Sequence, residues 1–182
     1  QDSLTLACLP ELAQAEGYQV DIVQDEVSPG TVLPNSWEEY LTRLTKKNRH
    51  ELRRKLRRLA LADGVRWYSL DDAQEINEGM DDFLSLLRLS KQEKYRFLTP
   101  ERENFFRGIA GELGSLGLVR LFFMEIGGKR VASAFCLDYG SSRLLYNSGY
   151  NPEYGYYSVG LTLKALSLKS AIEEGKAYFD FL

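Results

Sequence analysis

The sequence predicts an α/β (α+β) domain in which a mixed, mainly antiparallel sheet carries helices on both faces. Helical periodicity of apolar residues recurs in several segments of the 182-residue chain. Three consecutive segments near the C-terminus are rich in aromatic and branched residues and are separated by short glycine-containing turns, as in an antiparallel meander. The first of these three is apolar on both sides, which indicates a central strand covered on both faces.

Composition limits the classes of function. Hydrophobic residues make up 44% of the chain and charged residues 27%, and no apolar run is long enough to span a membrane. Residues 1–10 lack the pattern of a signal peptide, so we expect a soluble cytoplasmic protein of one domain. Cys8 and Cys136 form no CxxC pair and His50 is the only histidine. We therefore predict no metal site, and a Ser-His-Asp hydrolase would depend on one imidazole inside a basic helix.

The first third of the chain predicts an arm followed by a long helix. Alternation of apolar and polar residues over 18–27 indicates a short strand, which the Ser-Pro-Gly group at 28–30 ends. Ser36 can cap a helix, with Glu39 reaching back as in a capping box. Apolar residues at helical spacing then continue without interruption to the Asp-Gly stop at 63–64.

The domain boundaries follow from this pattern. We expect an N-terminal arm, or the remnant of a preceding domain, over residues 1–35. The main domain is expected over residues 36–182, truncated at its C-terminus. We see no internal repeat within it.

The middle of the chain predicts a strand and two helices. Residues 65–70 have the composition of a strand. Aspartates at 71 and 72 cap a second helix that is expected to run to about Lys94. Thr99 is the expected N-cap of a third helix. The proline that follows it fits the first helical turn, where backbone amides have no partner within the helix and a missing amide costs nothing.

The remaining segments predict the meander, a helix and a final strand. The meander comprises residues 118–126, 130–139 and 143–150. In its second strand, large residues alternate with small ones, which predicts that a helix packs closely on the small face. The last helix is expected over residues 158–174. It is apolar on two sides, so we expect it to lie between the sheet and another layer. A strand over 177–182 follows.

The start of the last helix is a candidate anion site. A helix N-terminus presents free amides and the positive end of the helix dipole, and Gly160 would let a bulky anion approach the backbone. An ordinary capped helix start is the alternative interpretation. If an anion binds here, Gly160→Glu should weaken its binding while the fold is largely retained.

Several motifs occur together in a fixed order. They are Ser36-Trp37-Glu38-Glu39-Tyr40-Leu41, the arginines at 49, 53, 54, 57 and 58, Tyr146-Asn147-Ser148-Gly149-Tyr150, Tyr157-Ser158-Val159-Gly160, Gly175 and Phe179-Asp180-Phe181-Leu182. In this order, residues 36–182 resemble the acetyltransferase domain of the GNAT superfamily. The resemblance is to the branch that runs from cellulose-biosynthesis-associated acetyltransferases to the FemAB-like peptidoglycan aminoacyltransferases.

The resemblance implies a GNAT-like fold and a donor site for acetyl-CoA or another acyl-CoA. The pyrophosphate would bind the amides of Val159, Gly160 and Leu161, with Ser158 as the cap. Backbone groups of Ser148, Gly149 and Tyr150 would pair with the pantetheine arm and polarise the thioester carbonyl. A primary amine would then attack the thioester directly, so that no covalent nucleophile is required.

Four side chains near this site are candidates for handling the proton of the amine: Asp180, Glu153, Tyr146 and Tyr156. Each has a structural alternative. Asp180 could cap a helix or pair with an arginine, Glu153 lies in a turn, and the tyrosines could belong to the core.

Basic residues are concentrated between 43 and 58, where Glu51 is the only acid. This surface could bind a phosphate-rich ligand such as the CoA 3′-phosphate, a tRNA or a nucleotide-linked sugar. Alternatively, it is a solvated face balanced by the acidic residues between 71 and 82.

Three functions are consistent with the sequence. They are an N-acyltransferase that uses acyl-CoA, an aminoacyl-tRNA-dependent FemAB-like transferase, and a non-catalytic binding module of GNAT shape. The expected acceptor is a small-molecule or cell-envelope amine. A second domain or a homodimer would be the protein partner.

Overall fold

The computed structural model describes residues 4–24 and 27–182. The helices are α1 (Leu4–Ala15), α2 (Trp37–Arg43), α3 (Lys46–Leu59), α4 (Ala73–Ser90), α5 (Gln92–Phe97), α6 (Pro100–Ser115) and α7 (Val159–Glu173), with a 3-10 helix at Pro152–Tyr157. The strands are β1 (Gly30–Val32), β2 (Arg66–Leu70), β3 (Val119–Ile126), β4 (Lys129–Tyr139), β5 (Ser142–Tyr150) and β6 (Tyr178–Asp180). Within these described residues, no helix combines the length and the apolar character needed to cross a membrane.

The strands form one six-stranded sheet in the order β1-β6-β5-β4-β3-β2. Neighbouring strands are antiparallel except β5 and β6, which are parallel. Strands β3, β4 and β5 form the predicted meander. The turn between β3 and β4 contains Gly127 and Gly128, both at positive φ, a conformation that glycine adopts without steric cost. The predicted fold class, a mixed and mainly antiparallel sheet flanked by helices, is confirmed.

Two separate cores lie on the two faces of the sheet. One contains residues of α7 and α3, and the other contains residues of α4 and α6. Strand β3 contributes to both: Phe122 and Met124 lie in the first core, and Leu121 and Phe123 in the second. Its burial on both faces confirms the prediction of a covered central strand.

Helix α7 lies between the sheet and α3. The small residues Ala132, Ala134 and Cys136 of β4 share a core with Leu163 and Leu166 of α7. On its other side α7 packs against α3, and also against α2. The prediction that this helix lies between two layers is therefore confirmed.

The first predicted helix is in fact two helices. Leu44 has an extended conformation with φ −71° and ψ 146°, which ends α2. Thr45 then caps α3, because its hydroxyl accepts a hydrogen bond from the Asn48 amide. The expectation of one continuous helix was wrong because apolar residues keep helical spacing across the break. At the start of α2, Ser36 caps the helix as predicted, but Glu39 pairs with Arg43 and does not close a capping box.

Two further boundaries differ from the sequence analysis. Helix α4 ends at Ser90, because Lys91 is extended with φ −159° and ψ 149°, and α5 begins at the next residue. The strand predicted over 18–27 is absent from residues 18–24, and residues 25–26 lie outside the described part of the chain. Strand β1 forms further along, where it pairs with β6. Helix α1 was not predicted, since its sequence contains Pro10 and lacks a clear apolar face.

A buried ionic cluster joins β4, β5 and the C-terminal end of α7. The Arg143 side chain is 0% exposed and forms two hydrogen bonds with the Asp138 carboxylate, at 2.7 and 2.8 Å. The same guanidinium donates to Glu174 at 2.7 Å and to Ser170 at 3.2 Å. Burial opposes the charge on Arg143, but the bonds with Asp138 and Glu174 outweigh it and raise the pKa of Arg143. This cluster fixes α7 relative to the sheet.

Candidate functional site

A cleft of about 510 Å³ opens where the C-terminal end of β5 meets the N-terminus of α7. The junction between α4 and α5 forms its third wall, and α3 contributes Lys55. The lining residues are Lys55, Ser90, Lys91, Lys94, Ser148, Tyr150, Gly155, Ser158, Val159, Gly160, Leu161 and Lys164. Of the seven residues predicted to bind the donor, Ser148, Tyr150, Ser158, Val159, Gly160 and Leu161 line this cleft.

The amides at the start of α7 are free. The first amide of this helix with a backbone acceptor is that of Thr162, which donates to the Ser158 carbonyl at 3.0 Å. In the described part of the chain, the amides of Val159, Gly160 and Leu161 have no hydrogen-bond acceptor. Ser158 occupies the capping position, but its side chain does not cap the helix. Its hydroxyl instead accepts a hydrogen bond from Lys55 Nζ at 3.0 Å. Three amides therefore remain for an anion.

Gly160 is required by packing against β5. A Cβ atom at this position would lie 2.8 Å from Cδ1 and 3.1 Å from Cγ of Tyr150. Any side chain would therefore displace the Tyr150 ring. Retention of the fold in Gly160→Glu therefore stays a prediction, since it requires this ring to move. Leu161 is 52% exposed in the same helical turn and is the better position for a test.

The edge of β5 is open on the side of the cleft. Strand β6 pairs with β5 only from Ser142 to Leu144, although β5 continues to Tyr150. The Ser148 amide donates to Asn147 Oδ1 at 2.9 Å, so the backbone of Ser148 faces away from β4. Because peptide groups alternate along a strand, the backbone of Tyr150 also faces this edge. It has no hydrogen-bond partner among the described residues.

The backbone carbonyl of Ser148 already accepts a hydrogen bond from a lysine. Lys94 Nζ donates to Asn147 Oδ1 at 2.9 Å and also to the Ser148 carbonyl. An extended ligand along β5 would find the Tyr150 backbone free but would have to compete with Lys94 at Ser148.

Gly149 does not line the cleft and has a packing function. A Cβ atom here would lie 2.3 Å from the Leu87 amide nitrogen and 2.4 Å from the Leu86 carbonyl carbon. These are backbone atoms of α4, which cannot move without shifting the helix. Gly149 thus allows α4 to lie directly on β5.

We expect Gly149→Ala to lower the free energy of unfolding by about 3 kcal/mol, because the added methyl group overpacks two backbones. Chemical denaturation would measure this change. Gly155→Ala is the matched control, since a Cβ atom at Gly155 would meet nothing within 4 Å. Equal stability of the two variants would contradict this account of Gly149.

The cleft is strongly cationic. Lys55, Lys91, Lys94 and Lys164 line it, and no carboxylate does so in the described part of the chain. Burial, followed by repulsion from Lys164 and Lys91, lowers the pKa of Lys94 to about 8. Burial and the Lys91 charge also lower the pKa of Lys164. An anion in the cleft would relieve this repulsion.

The three residues predicted to be catalytic do not come together. Asp180 accepts hydrogen bonds from the Ser28 hydroxyl and from the Leu182 amide, outside the cleft lining. Glu153 is exposed in the 3-10 helix and is bonded to Asn151. Tyr146 occupies a bulge in β5, and its ring packs against Phe106 with 5.6 Å between centroids. Their catalytic roles stay predictions. The Tyr156 side chain is exposed. The guanidinium carbon of Arg58 lies over its ring, 4.7 Å from the ring centroid.

Sequence reasoning missed three of the cleft lysines. Lys91 and Lys94 lie at or just after the break between α4 and α5, whereas the sequence predicts one helix that continues to about Lys94. Lys164 lies in α7 among mostly apolar residues. This isolated charge is the one feature of the sequence that points to a functional role for Lys164. Lys55 was noted only as part of the basic segment.

The basic segment comprises the last residue of α2 and most of α3, and the acidic residues between 71 and 82 do not balance it. Those acids belong to α4 and its cap. Helix α4 packs in the core on the face of the sheet opposite to α3. Asp72 caps α4, Asp81 pairs with Arg107, and Asp82 pairs with Arg130. The interpretation that they neutralise α3 is wrong. On α3 itself, Arg54 pairs with Glu51, and Lys55 extends into the cleft.

Comparison with known proteins gives one family. Residues 46–182 match the acetyltransferase (GNAT) domain. This match includes α3, the whole cleft and five of the six strands. A sequence comparison with curated proteins finds no significant match.

Solved structures share the fold at low sequence identity. FemX is 16% identical with a TM-score of 0.67, over 95% of this chain and 59% of FemX. A conserved protein of unknown function from Bacteroides thetaiotaomicron is 15% identical with a TM-score of 0.58, over 97% of this chain and 64% of that protein. The C-terminal domain of a predicted lysylphosphatidylglycerol synthetase from Agrobacterium fabrum is 14% identical with a TM-score of 0.53. The match covers 78% of this chain and 43% of that protein. The chain thus spans about three fifths of FemX.

Proposed function

Because this chain belongs to the GNAT family of acetyltransferases, we propose that it is an N-acyltransferase that moves an acyl group from acyl-CoA to a primary amine. The observation that carries this proposal is the start of α7. Three amides without an acceptor belong there to residues that line a cleft with four lysines, a combination that suits the pyrophosphate of a CoA thioester. A neutral ligand would leave both the amides and the lysine charges uncompensated.

The open edge of β5 supports an extended donor. A pantetheine arm carries amide groups that can pair with the free backbone of Tyr150, as an added strand would. With the pyrophosphate at the start of α7, the thioester would then lie beside Ser148 and Lys94. Direct attack by an amine forms a C–N bond and breaks the C–S bond, and it mainly requires that the two reactants be held in position.

A second candidate donor is aminoacyl-tRNA, in a FemAB-like transferase. The observation that favours it is α3, whose exposed Lys46, Lys47, Arg53 and Arg57 have no acidic partner in the described part of the chain. Since Lys55 of the same helix lines the cleft, an RNA backbone along α3 would lead to the candidate site. The structural likeness to FemX is consistent with this donor.

Thermal unfolding with acetyl-CoA tests the first proposal. At a ligand concentration about 100 times its dissociation constant, we expect stabilisation of about 2.7 kcal/mol. Dephospho-CoA and pantetheine are the comparison ligands. Pantetheine should give a much smaller shift, because it lacks the pyrophosphate that the α7 amides would bind. An acetyl-CoA titration without any shift would remove the acyl-CoA donor.

RNA binding tests the second candidate. An aminoacylated tRNA should bind with a steep salt dependence, and Arg53→Ala combined with Arg57→Ala should reduce that slope by about two. The control combines Arg102→Ala with Lys129→Ala, which removes the same charge from exposed positions outside α3 and the cleft. If both double variants bind RNA alike, α3 is not an RNA-binding surface.

The acceptor is proposed from the resemblance alone. A small-molecule or cell-envelope amine, and an association with cellulose biosynthesis, fit the branch of the superfamily that the sequence resembles. A cytoplasmic location and a second domain or homodimer belong to the same proposal.

A further inference from the structure

Lys94 has an unusual position for a lysine. It belongs to the short helix α5, yet its amine reaches the edge of β5, where it donates to the Ser148 carbonyl and to Asn147 Oδ1. This is the edge along which the proposed thioester donor would lie. Of the four cleft lysines, Lys94 is the one hydrogen-bonded to this strand in the described part of the chain.

The groups around Lys94 disfavour its charge. The charges of Lys164 on α7 and Lys91 just before α5 oppose it, and Lys55 of α3 and Ser90 of α4 also line the cleft. Strand β5 offers only the neutral Asn147 and Ser148. Since no carboxylate lines the cleft within the described residues, nothing there restores the ordinary lysine pKa.

The lowered pKa of about 8 changes the reactivity of this amine. Below about pH 8 the ammonium form dominates and has no free electron pair, whereas above it the neutral amine dominates. In the protein without a bound anion, a much larger fraction of Lys94 is therefore neutral near pH 8 than of a lysine with the ordinary pKa. The neutral amine is the nucleophilic form.

We propose that Lys94 is itself an acylation site, which takes the acyl group of a bound acyl-CoA when no external amine occupies the cleft. This inference rests on the proposed function. The lone pair of neutral Nζ attacks the thioester carbonyl carbon and forms the C–N bond. The tetrahedral intermediate collapses with cleavage of the C–S bond. The proton lost by the nitrogen and the electron pair of the broken bond leave with sulfur as the free CoA thiol, and Lys94 becomes an amide.

Acylation would limit further turnover. It removes one positive charge from the cleft and places an acyl group beside Ser148, where the next thioester has to lie. The modified protein should therefore bind acetyl-CoA more weakly than the unmodified protein.

The experiment is incubation of the full chain with acetyl-CoA and no amine, followed by intact mass measurement and peptide mapping. We expect one acetyl group per chain, at Lys94, with a rate that rises as the pH is raised from 6 to about 9. Lys94→Arg should lose this modification. Lys169→Arg is the control, because Lys169 lies outside the cleft beside Glu173, and it should be acetylated at Lys94 like the parent protein.

The outcomes separate this inference from the proposed function. If acetyl-CoA shifts the unfolding temperature but Lys94 stays unmodified, the self-acylation is overturned and the transferase proposal stands. Acetyl groups spread over exposed lysines, in the pattern produced by acetyl phosphate, would also overturn it. If acetyl-CoA neither shifts the unfolding temperature nor modifies the chain, the inference and the acyl-CoA donor fail together. Peptide mapping of the parent protein decides the site even if Lys94→Arg folds poorly.

Discussion

Leu161→Glu is expected to weaken acetyl-CoA binding about a hundredfold, equivalent to about 2.7 kcal/mol. Leu161 is the third residue of α7, is 52% exposed and lines the cleft. A glutamate at this position can bind the free amides of its own helix turn, so it would occupy the anion site and repel the pyrophosphate. The same carboxylate interacts favourably with the helix dipole, so the fold should keep its stability. Isothermal titration and thermal unfolding would measure the two quantities.

Leu161→Gln is the matched control for this variant. Glutamine has the shape of glutamate but no charge, so acetyl-CoA should bind Leu161→Gln within about threefold of its affinity for the parent protein. Unchanged affinity in Leu161→Glu would show that the donor phosphates bind elsewhere. Equal losses in both variants would mean that the leucine side chain itself contacts the donor.

Arg143→Met is expected to lower the free energy of unfolding by about 3 kcal/mol. Methionine fills a similar volume but leaves the buried Asp138 without its two guanidinium hydrogen bonds. Lys176, whose Nζ lies 3.3 Å from Asp138 Oδ2, would still offset part of the charge. Because Lys176 and also Arg120, at 3.9 Å, remain near Asp138, we expect the low end of the range for a broken buried pair. Chemical denaturation at neutral pH would measure the loss.

The pH dependence gives a second measurement for the same variant. Burial alone would raise the pKa of Asp138, but its bonds with Arg143 outweigh this and lower it. A carboxyl with a lowered pKa contributes stability above its unfolded pKa, and that stability is lost as the pH falls through the folded value. Stability of the parent protein should therefore decline below about pH 4, and Arg143→Met should show a smaller decline.

Arg120→Met serves as the control for Arg143→Met. Arg120 is partly exposed and lies 3.9 Å from Asp138, so its loss should cost less than about 1 kcal/mol. Similar values for both arginine variants would show that burial of Arg143 does not determine its contribution. Because the cluster fixes the C-terminal end of α7, we also expect weaker acetyl-CoA binding in Arg143→Met.

The sequence predicted local structure well where the signals are local. Thr99 and Ser36 cap helices as expected, since capping depends on residues within one helical turn. The meander was predicted from alternation and turn glycines for the same reason. The break at Leu44 was missed because it interrupts the backbone without interrupting the apolar spacing.

The candidate site was predictable only in part. The free amides of α7 follow from where a helix begins, and that start was evident from the sequence. The side chains around them come from α3, the α4–α5 junction and β5. Asp180, Glu153 and Tyr146 are near the site in sequence, but Asp180 and Glu153 are hydrogen-bonded outside the cleft lining and Tyr146 packs against Phe106.

The sequence by itself determined the meander, the capped starts of α2, α4 and α6, and the free amides at the start of α7. Only the tertiary structure decided that Lys55, Lys94 and Lys164 face one another across a single cleft. These lysines are separated by many residues, and burial of two apolar cores on opposite faces of the sheet brings their helices together. The hydrophobic effect that drives this packing does not depend on where the charged groups end up, so no local pattern records their convergence.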